Sequence, residues 1–259
     1  MKGKDSNPIA SAIIFQFLLA AYVFLFAVSL GKFTPPPADV SYPRLFLSGI
    51  LWAGTTYFSF RAMKLLEAAE TTILISGNAV ISIILGVIFL KEILTLPIVF
   101  GFILILGAIL IIYSGRLSFK SKNGVIFSLL TALLSGTAVV NDAFILKTYE
   151  AFSFTAVMSF LPGIILALTF PKEIKNAFGF LKKKEFHLML ILTFFYSIQA
   201  VSYYLSYQSG APISTLATLT KASIVLTVIL AAVFLKERSN LTKKALAALM
   251  VTIGAILLA

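Results

Sequence analysis

The strongest constraint on this chain is that one apolar pattern occurs twice along it. The segment Phe89–Glu92, with the sequence FLKE, recurs as Phe234–Glu237, and Gly107–Leu110, with the sequence GAIL, recurs as Gly254–Leu257. In both copies a long apolar run precedes FLKE and another run follows it. Two spaced matches in the same order indicate an internal duplication. Chance similarity between two apolar helices is the alternative, but it does not explain why Lys-Glu stands at both turns.

Composition places the chain in a membrane. Hydrophobic residues make up 59% of it and charged residues 12%, whereas about a quarter of the residues in a soluble domain are charged. A membrane-spanning helix needs about 20 mostly apolar residues. We therefore predict an all-α fold, a polytopic transmembrane helical bundle of about nine helices. The helices are expected at residues 9–31, 45–63, 69–90, 95–114, 124–146, 152–170, 187–207, 212–235 and 241–259.

The distribution of basic residues predicts an orientation. The net charge is +11, and 16 of the 21 Lys and Arg residues fall on alternate flanks of the predicted helices, beginning with the N-terminal flank. The opposite flanks hold four: Lys32, Arg44, Lys91 and Lys147. The positive-inside rule then places the N-terminus in the cytoplasm and the C-terminus outside. The basic residues are topology signals, so we expect the lipid bilayer as a partner and no nucleic acid.

Several classes of activity lack their residues in this sequence. The chain has no cysteine and one histidine, which excludes disulfides and thiolate metal sites and leaves no paired histidines for a metalloprotease. No G-x-x-x-x-G-K-[ST] loop for nucleotide hydrolysis is present. We expect no cofactor, no metal site and no enzymatic activity. A membrane protein that is not a transporter, such as an intramembrane enzyme or a channel, is the alternative.

The duplicated pattern resembles the EamA-like branch of the drug/metabolite transporter superfamily. In that family a helix ends in a Leu-Gly-Glu-like turn, and the next helix ends in a Gly-Ala/Val-Leu-Leu pattern. Leu90–Glu92 and Leu235–Glu237 match the turn, with Lys in place of Gly. The resemblance covers residues 45–114 and 187–259 well, and the rest of the chain by hydropathy.

This resemblance implies ten helices in two five-helix repeats of inverted topology, and a site near the membrane midplane where the repeats meet. We place the first repeat at 1–116 and the second at 117–259. The second contains five predicted helices and the first contains four, so the first repeat is expected to lack its first helix.

The resemblance also implies a function. We expect a secondary active transporter in the cytoplasmic membrane that moves a small metabolite, an amino acid or a related and anionic solute. Export is favoured over import, with a proton or sodium gradient, or exchange, as the driving force. The family spans many substrates, so the solute class rests on analogy.

Two ionisable residues inside predicted helices are candidates for this chemistry. Lys221 lies about 12–14 Å deep in the eighth helix, and a charged group at that depth usually faces a cavity or a partner. It is either an anchor for an anionic solute, or a snorkelling or structurally paired residue. Asp142, with Asn141 beside it, lies near the end of the fifth helix. A pair between Asp142 and Lys221 that opens when Asp142 binds a proton is one route to coupling. Alternatively, Asp142 is solvated at the interface.

Further polar side chains occur at corresponding places in the two repeats. Asn78 belongs to Ser76–Asn78, which aligns with the stretch around Lys221. Trp52 and Tyr57 lie in the second helix, near Thr55 and Thr56. Gln199 and Tyr203 lie in its repeat counterpart, the seventh helix, near Tyr196 and Tyr204. Polar aromatic side chains can line a pocket for an organic solute. They also form interfacial belts and polar contacts between helices, which is the competing interpretation.

Two pairs of small residues predict close packing between helices. The pairs are Gly49-x-x-x-Ala53 and Ala132-x-x-x-Gly136. Small residues four apart on one helix face let a neighbouring backbone approach, so we interpret both pairs as packing contacts.

Charged residues at two predicted helix starts are expected at the membrane surface. Glu67 and Glu70 precede or begin the third helix, where solvated acids are favoured. Lys243 and Lys244 lie near the start of the ninth helix and are expected to snorkel to the surface.

Overall fold

Helices form where the sequence has long apolar runs. The computed structural model describes residues 7–91, 93, 95–114, 121–182, 185–212, 216, 220, 223–236 and 240–258, and within these residues all regular secondary structure is helical. The helices are α1 Pro8–Ser29, α2 Tyr42–Leu65, α3 Ala68–Ile75, α4 Asn78–Leu85 with a π-helical turn at Gly86–Leu90, α5 Leu96–Ser114, α6 Lys122–Ile145, α7 Ala151–Thr169, α8 Pro171–Phe180, α9 Phe186–Gln208, α10 Ser223–Phe234 and α11 Leu241–Leu258.

Polar caps determine where several helices begin. The Asn7 side chain accepts hydrogen bonds from the backbone N–H of Ile9 and Ala10, at 3.0 and 3.3 Å, and Pro8 occupies the first helical position of α1. Such caps satisfy N–H groups that have no partner within the helix. The Glu150 carboxylate likewise accepts from the N–H of Ser153 at the start of α7.

The predicted third span is one apolar run, but the structure divides it. α3 ends at Ile75, and the N–H of Gly77 bonds the carbonyl of Leu74, three residues back, at 3.3 Å. This tighter turn interrupts the α-helix before α4 begins at Asn78. A Cβ at Gly77 would lie 3.2 Å from Ile109 Cδ1, so glycine allows close packing at the break.

Five helical segments of the described residues are long and apolar enough to cross a membrane: Pro8–Ser29, Ala68–Leu90, Lys122–Ile145, Ala151–Thr169 and Phe186–Gln208. The all-helical transmembrane bundle predicted from composition is therefore confirmed. α8 is an additional helix that the sequence did not predict, because ten residues are too few for a span. Of the predicted eighth helix, 212–235, the structure describes α10, residue 212, Leu216, Thr220 and Leu235.

The chain folds into two compact units. The first consists of Met1–Phe60 and Asn141–Ala211, and the second of Arg61–Val140 and Pro212–Ala259. In the first unit, α1 packs against α7, α8 and α9. Apolar side chains of α1, including Ile13, Leu19 and Val23, form its interior together with Met189 and Val201 of α9.

In the second unit, α5 packs against α11, and α3 packs against α5, α10 and α11. Its core contains Ile73 and Leu74 of α3, Ile105 of α5, Val228 of α10 and Val251 of α11. A Cβ at Gly254 would lie 2.8 Å from the carbonyl oxygen of Gly101. Gly254, the first residue of the second GAIL segment, therefore packs directly on the backbone of α5.

Candidate functional site

A row of polar side chains runs along one face of α2 at four-residue intervals. Its members are Arg44, Ser48, Trp52 and Thr56, which we call the polar stripe. Residues four apart lie on the same face of a helix. Arg44 is exposed, whereas Ser48 is fully buried and Thr56 is nearly so. The stripe therefore leads from one end of α2 into the interior of the first unit.

Asp142, in the last turn of α6, is fully buried beside this stripe. Ser48 Oγ donates to its Oδ1. Trp52 Nε1 donates to Oδ2 at 2.8 Å, and the Tyr204 hydroxyl of α9 donates to the same oxygen at 2.5 Å. No Lys, Arg or His among the described residues forms an ion pair with Asp142. The carboxyl group thus has three uncharged donors, and its burial argues against the solvated interfacial interpretation.

The three hydrogen-bond partners of Asp142 are compatible with both its ionised and its protonated form. The indole of Trp52 can only donate, so Oδ2 remains an acceptor in both. Hydroxyls both donate and accept, so a proton bound at Oδ1 can be donated to Ser48 Oγ. A helical serine can turn its own hydrogen to the carbonyl four residues back, which for Ser48 belongs to Arg44. The hydrogen bonds around Asp142 can therefore accommodate a bound proton through the rotation of a hydroxyl.

Asn141 holds Ser48 in position. Its Nδ2 donates to Ser48 Oγ at 2.7 Å and to the carbonyl of Arg44 at 2.8 Å. The Arg44 guanidinium donates back to Asn141 Oδ1 at 3.2 Å and lies over the ring of Phe144, 4.2 Å from its centroid. The positive charge at the end of the stripe is thus connected to Asp142 through Asn141 and Ser48.

The C-terminal turn of α9 holds Tyr204 against α6. Tyr207 donates to the carbonyl of Ala143 at 3.2 Å. Gln208 Nε2 donates to the carbonyls of Leu146 and Tyr149, at 3.1 and 2.8 Å. These bonds anchor α9 to α6 and the residues after it within about one turn of Tyr204. They therefore hold the Tyr204 hydroxyl in place against Asp142.

Tyr149 connects the end of α6 to the loop that follows α1. Its hydroxyl donates to the carbonyl of Thr34 at 3.1 Å. Burial, together with the nearby Glu150 carboxylate, raises the pKa of Tyr149 to about 12. The phenol therefore remains a hydrogen-bond donor throughout the neutral range of pH.

At its inner end the polar stripe reaches α1. Gln16, which is 4% exposed, donates from Nε2 to Thr56 Oγ1 at 2.5 Å, and the Thr56 hydroxyl donates to the carbonyl of Trp52 at 2.9 Å. Because Thr56 uses its hydrogen on Trp52, it must accept from Gln16. The amide oxygen of Gln16 then remains buried without a hydrogen-bond partner among the described residues. It is a free acceptor inside the first unit.

The structure brings together three of the predicted site residues, Trp52, Asn141 and Asp142. A fourth, Tyr203, lies next to them, with its ring perpendicular to that of Tyr204 at a centroid distance of 5.4 Å. Solute binding by these residues stays a prediction, because their hydrogen bonds and ring contacts join them to other groups of the protein.

Two further predicted site residues of the first unit, Tyr57 and Gln199, have other surroundings. Tyr57 stacks on Phe170, with ring centroids 5.2 Å apart and planes at 3°, and so helps to hold α2 against the segment between α7 and α8. Gln199 is exposed on α9. Asn78 belongs to the second unit, and Lys221 lies outside the described residues.

Sequence reasoning did not single out Ser48 or Gln16, and it considered Thr56 and Tyr204 as pocket residues without choosing them for the site. Serine and threonine within a helix commonly bond their own backbone, and tyrosine is common at membrane interfaces, so none is distinctive alone. The four-residue spacing of the polar stripe was the available signal. It indicates a shared face but not which helices pack against that face.

Asn78 lies at the helix break of the second unit. Its Oδ1 is buried without a hydrogen-bond partner within the described residues. The Ser82 hydroxyl donates to the backbone carbonyl of Asn78 at 2.9 Å. A Cβ at Gly136 would lie 2.7 Å from that carbonyl oxygen and 2.7 Å from Ile81 Cβ, so α6 packs directly on the break. This contact confirms the packing role predicted for the Ala132–Gly136 pair.

A cluster of buried and partly buried charged side chains joins α3 to α11. Lys244 is fully buried, and its Nζ forms an ion pair with Glu67 and lies 4.0 Å from Glu70 Oε1. Glu67 and Glu70 also form a capping box at the start of α3. The prediction that Lys244 snorkels and that the two acids are solvated was wrong, because α11 packs on α3 at this end.

Together, the apolar spans, the broken third span and the buried carboxyl group define a multi-pass helical membrane protein with polar groups inside the bundle. The sequence pattern of the EamA-like transporter family matches residues 3–114 and again residues 122–259. The chain therefore belongs to the EamA-like transporter family, and it is a membrane transporter of the drug/metabolite superfamily. The expectation that it has no enzymatic activity stays a prediction.

Solved structures agree on the fold. One, described only as "Crystal structure of protein", is similar with a TM-score of 0.68 and 16% sequence identity. The similarity covers 99% of this chain and 88% of the other. No curated protein matches the sequence significantly.

Proposed function

We propose that this protein is a secondary active transporter of the cytoplasmic membrane that couples export of a small metabolite to proton binding at Asp142. The observation that carries the proposal is the buried carboxyl group of Asp142 in a membrane span, held by Ser48, Trp52 and Tyr204. Ionisable residues inside membrane proteins are costly and commonly mark ion pathways. A carboxyl group with partners in both protonation states can bind and release a proton without refolding its surroundings.

Sodium fits this site less well than a proton. A sodium ion needs several oxygen ligands, but the neighbours of Asp142 contribute only two hydroxyl groups. The third neighbour, the indole N–H of Trp52, is a hydrogen-bond donor and would point toward the cation. Proton binding keeps all three neighbours in place. We therefore favour proton coupling over sodium coupling.

The proposed solute is an amino acid or a related small metabolite. This class follows from the family, and the preference for an anionic group follows from Lys221 in the sequence. The buried amide oxygen of Gln16 offers an acceptor for a donor group such as an ammonium or a hydroxyl. The basic-residue bias supports a cytoplasmic N-terminus and an external C-terminus.

Two experiments test the proposal. A thermal-shift screen of the purified protein against amino acids, organic acids and nucleotide sugars identifies the solute class, with Lys221→Ala measured alongside. In the second experiment, vesicles that contain the protein and a pH-sensitive dye are loaded with a mixture of amino acids and diluted into buffer without them, which creates an outward solute gradient. We expect the gradient to drive proton movement that vesicles without protein do not show. Solute movement with no accompanying proton movement would contradict proton coupling.

A further inference from the structure

α8 forms one side of an apolar groove in the first unit. The groove has a volume of about 450 Å³, and apolar side chains of three helices line it. Ile13 and Phe17 of α1 contribute, as do Ala167 of α7, Phe178 of α8 and Leu181, the residue that follows α8. Because α8 is too short to cross a membrane, the groove lies where a short helix meets the ends of two spans.

The groove is a built feature of the fold. Ala177 and Phe180 of α8 are 7% and 5% exposed, packed in the core of the first unit. Glu173 accepts a hydrogen bond from Asn7, the cap of α1. α8 also follows α7 directly, since Phe170 is the only residue between them. These contacts hold α8 in place beside α1.

The groove also has an exposed apolar edge with basic residues beside it. Phe178 is 65% exposed and Leu181 is 42% exposed. Lys175 precedes Phe178 by three residues on the surface of α8, and Lys182 lies in the turn that directly follows the helix. Both lysines are exposed. An apolar groove bordered by two cationic side chains is complementary to a molecule with an acyl chain and an anionic head group.

We propose that this groove binds an anionic phospholipid, with an acyl chain against Phe17 and Phe178 and the head-group phosphate at Lys175 and Lys182. Amphipathic helices with lysines beside their apolar face bind anionic membranes in this way. The site is separate from Asp142 and does not depend on the proposed transport function. A site of this kind binds anionic phospholipids in preference to neutral ones, whereas an ordinary lipid-facing surface shows no such preference.

Quenching by brominated lipid tests the proposal directly. Phe178→Trp is reconstituted in phosphatidylcholine vesicles that contain brominated phosphatidylglycerol or brominated phosphatidylcholine. The natural chain has one tryptophan, Trp52, whose signal is measured in the unmodified protein and subtracted. Each lysine near a membrane surface contributes about a fivefold preference for anionic lipid. We therefore expect phosphatidylglycerol to quench the new tryptophan at a markedly lower mole fraction than phosphatidylcholine.

Matched charge changes identify the source of the preference. In Lys175→Gln/Lys182→Gln the preference for phosphatidylglycerol should fall roughly 25-fold, which is the contribution of two lysines. In Lys32→Gln/Lys147→Gln, which removes the same charge from exposed residues on other flanks, the preference should stay unchanged. Raising NaCl to about 0.5 M should weaken the preference without any substitution. Equal quenching by the two lipids would overturn the proposal. A preference that survives both the Lys175/Lys182 change and high salt would overturn it as well.

Discussion

Lys91 and Lys236 adopt the same left-handed backbone conformation, with φ of 61° and 56°. They occupy the same position in the two copies of FLKE, each just after an apolar helix. This is the position at which the family pattern has glycine, the residue that adopts positive φ without strain. The repeat seen in the sequence is therefore repeated in the backbone, and the substitution of Lys for Gly carries a conformational cost at both turns.

Glycine at either turn should stabilise the protein. A non-glycine residue in the left-handed region costs roughly 1–2 kcal/mol, and the greater freedom of glycine in the unfolded chain offsets part of this gain. We expect Lys91→Gly and Lys236→Gly each to raise the unfolding free energy by up to about 1 kcal/mol, measured by thermal unfolding in detergent. Lys91→Ala, which removes the charge but keeps the Cβ, should give no such gain. A similar gain with alanine would show that charge, not backbone strain, is responsible.

Alanine at Gly136 should destabilise the second unit. Its Cβ would lie 2.7 Å from the backbone oxygen of Asn78, which cannot move aside easily, and overpacking of this kind typically costs about 1–3 kcal/mol. Gly179→Ala in α8 is the control, because no atom of a neighbouring residue lies within 4 Å of its Cβ position. Both substitutions replace glycine by alanine within a helix, so the change in helix propensity is the same. Melting temperatures of the two variants are to be compared, and equal values would contradict the close packing of α6 on the helix break.

Loss of the Lys244 charge should strongly destabilise the protein. Lys244→Met leaves Glu67 and Glu70 at a partly buried helix start without their ion pair, and breaking a buried pair costs about 3 kcal/mol. Lys243→Met is the matched control, because Lys243 is exposed one residue away. Adding Glu67→Gln to Lys244→Met should restore part of the loss. If both methionine variants melt alike, the pair contributes nothing to stability.

Removal of the Tyr204 hydroxyl should alter coupling more than folding. Tyr204→Phe removes one of three donors to Asp142, and the net loss of one such bond is about 1–2 kcal/mol. We expect a shift in the pH dependence of transport by the reconstituted protein. Tyr207→Phe removes a hydroxyl from the same helix that bonds the carbonyl of Ala143 instead, so its pH profile should stay that of the unmodified protein. Identical profiles for both variants would remove Tyr204 from the coupling site.

The sequence predicts the fold well wherever length and apolarity decide the outcome. Apolar runs locate the spans, since few other structures satisfy the backbone in a bilayer. The break at Gly77 was not predicted, because a single glycine in an apolar run is compatible with a continuous helix. α8 was not predicted either, because its ten residues include two lysines and no span-length apolar run.

The site was predicted only in part, for a related reason. Asp142, Asn141 and Trp52 are uncommon inside a span and could be selected by residue type alone. Ser48 and Tyr204 become significant only because α2, α6 and α9 pack together in the first unit. That packing depends on long-range contacts that no local sequence pattern specifies.

Asp142→Asn provides the most direct test of the central claim, that Asp142 carries the coupling proton. Asparagine keeps the size of the side chain and cannot bind a proton in this range of pH. In reconstituted vesicles we expect this variant to exchange labelled amino acids across the membrane while solute gradients no longer move protons. Asp39→Asn, an exposed acid outside the helices, should retain both activities. Proton movement by Asp142→Asn at the rate of the unmodified protein would contradict the account.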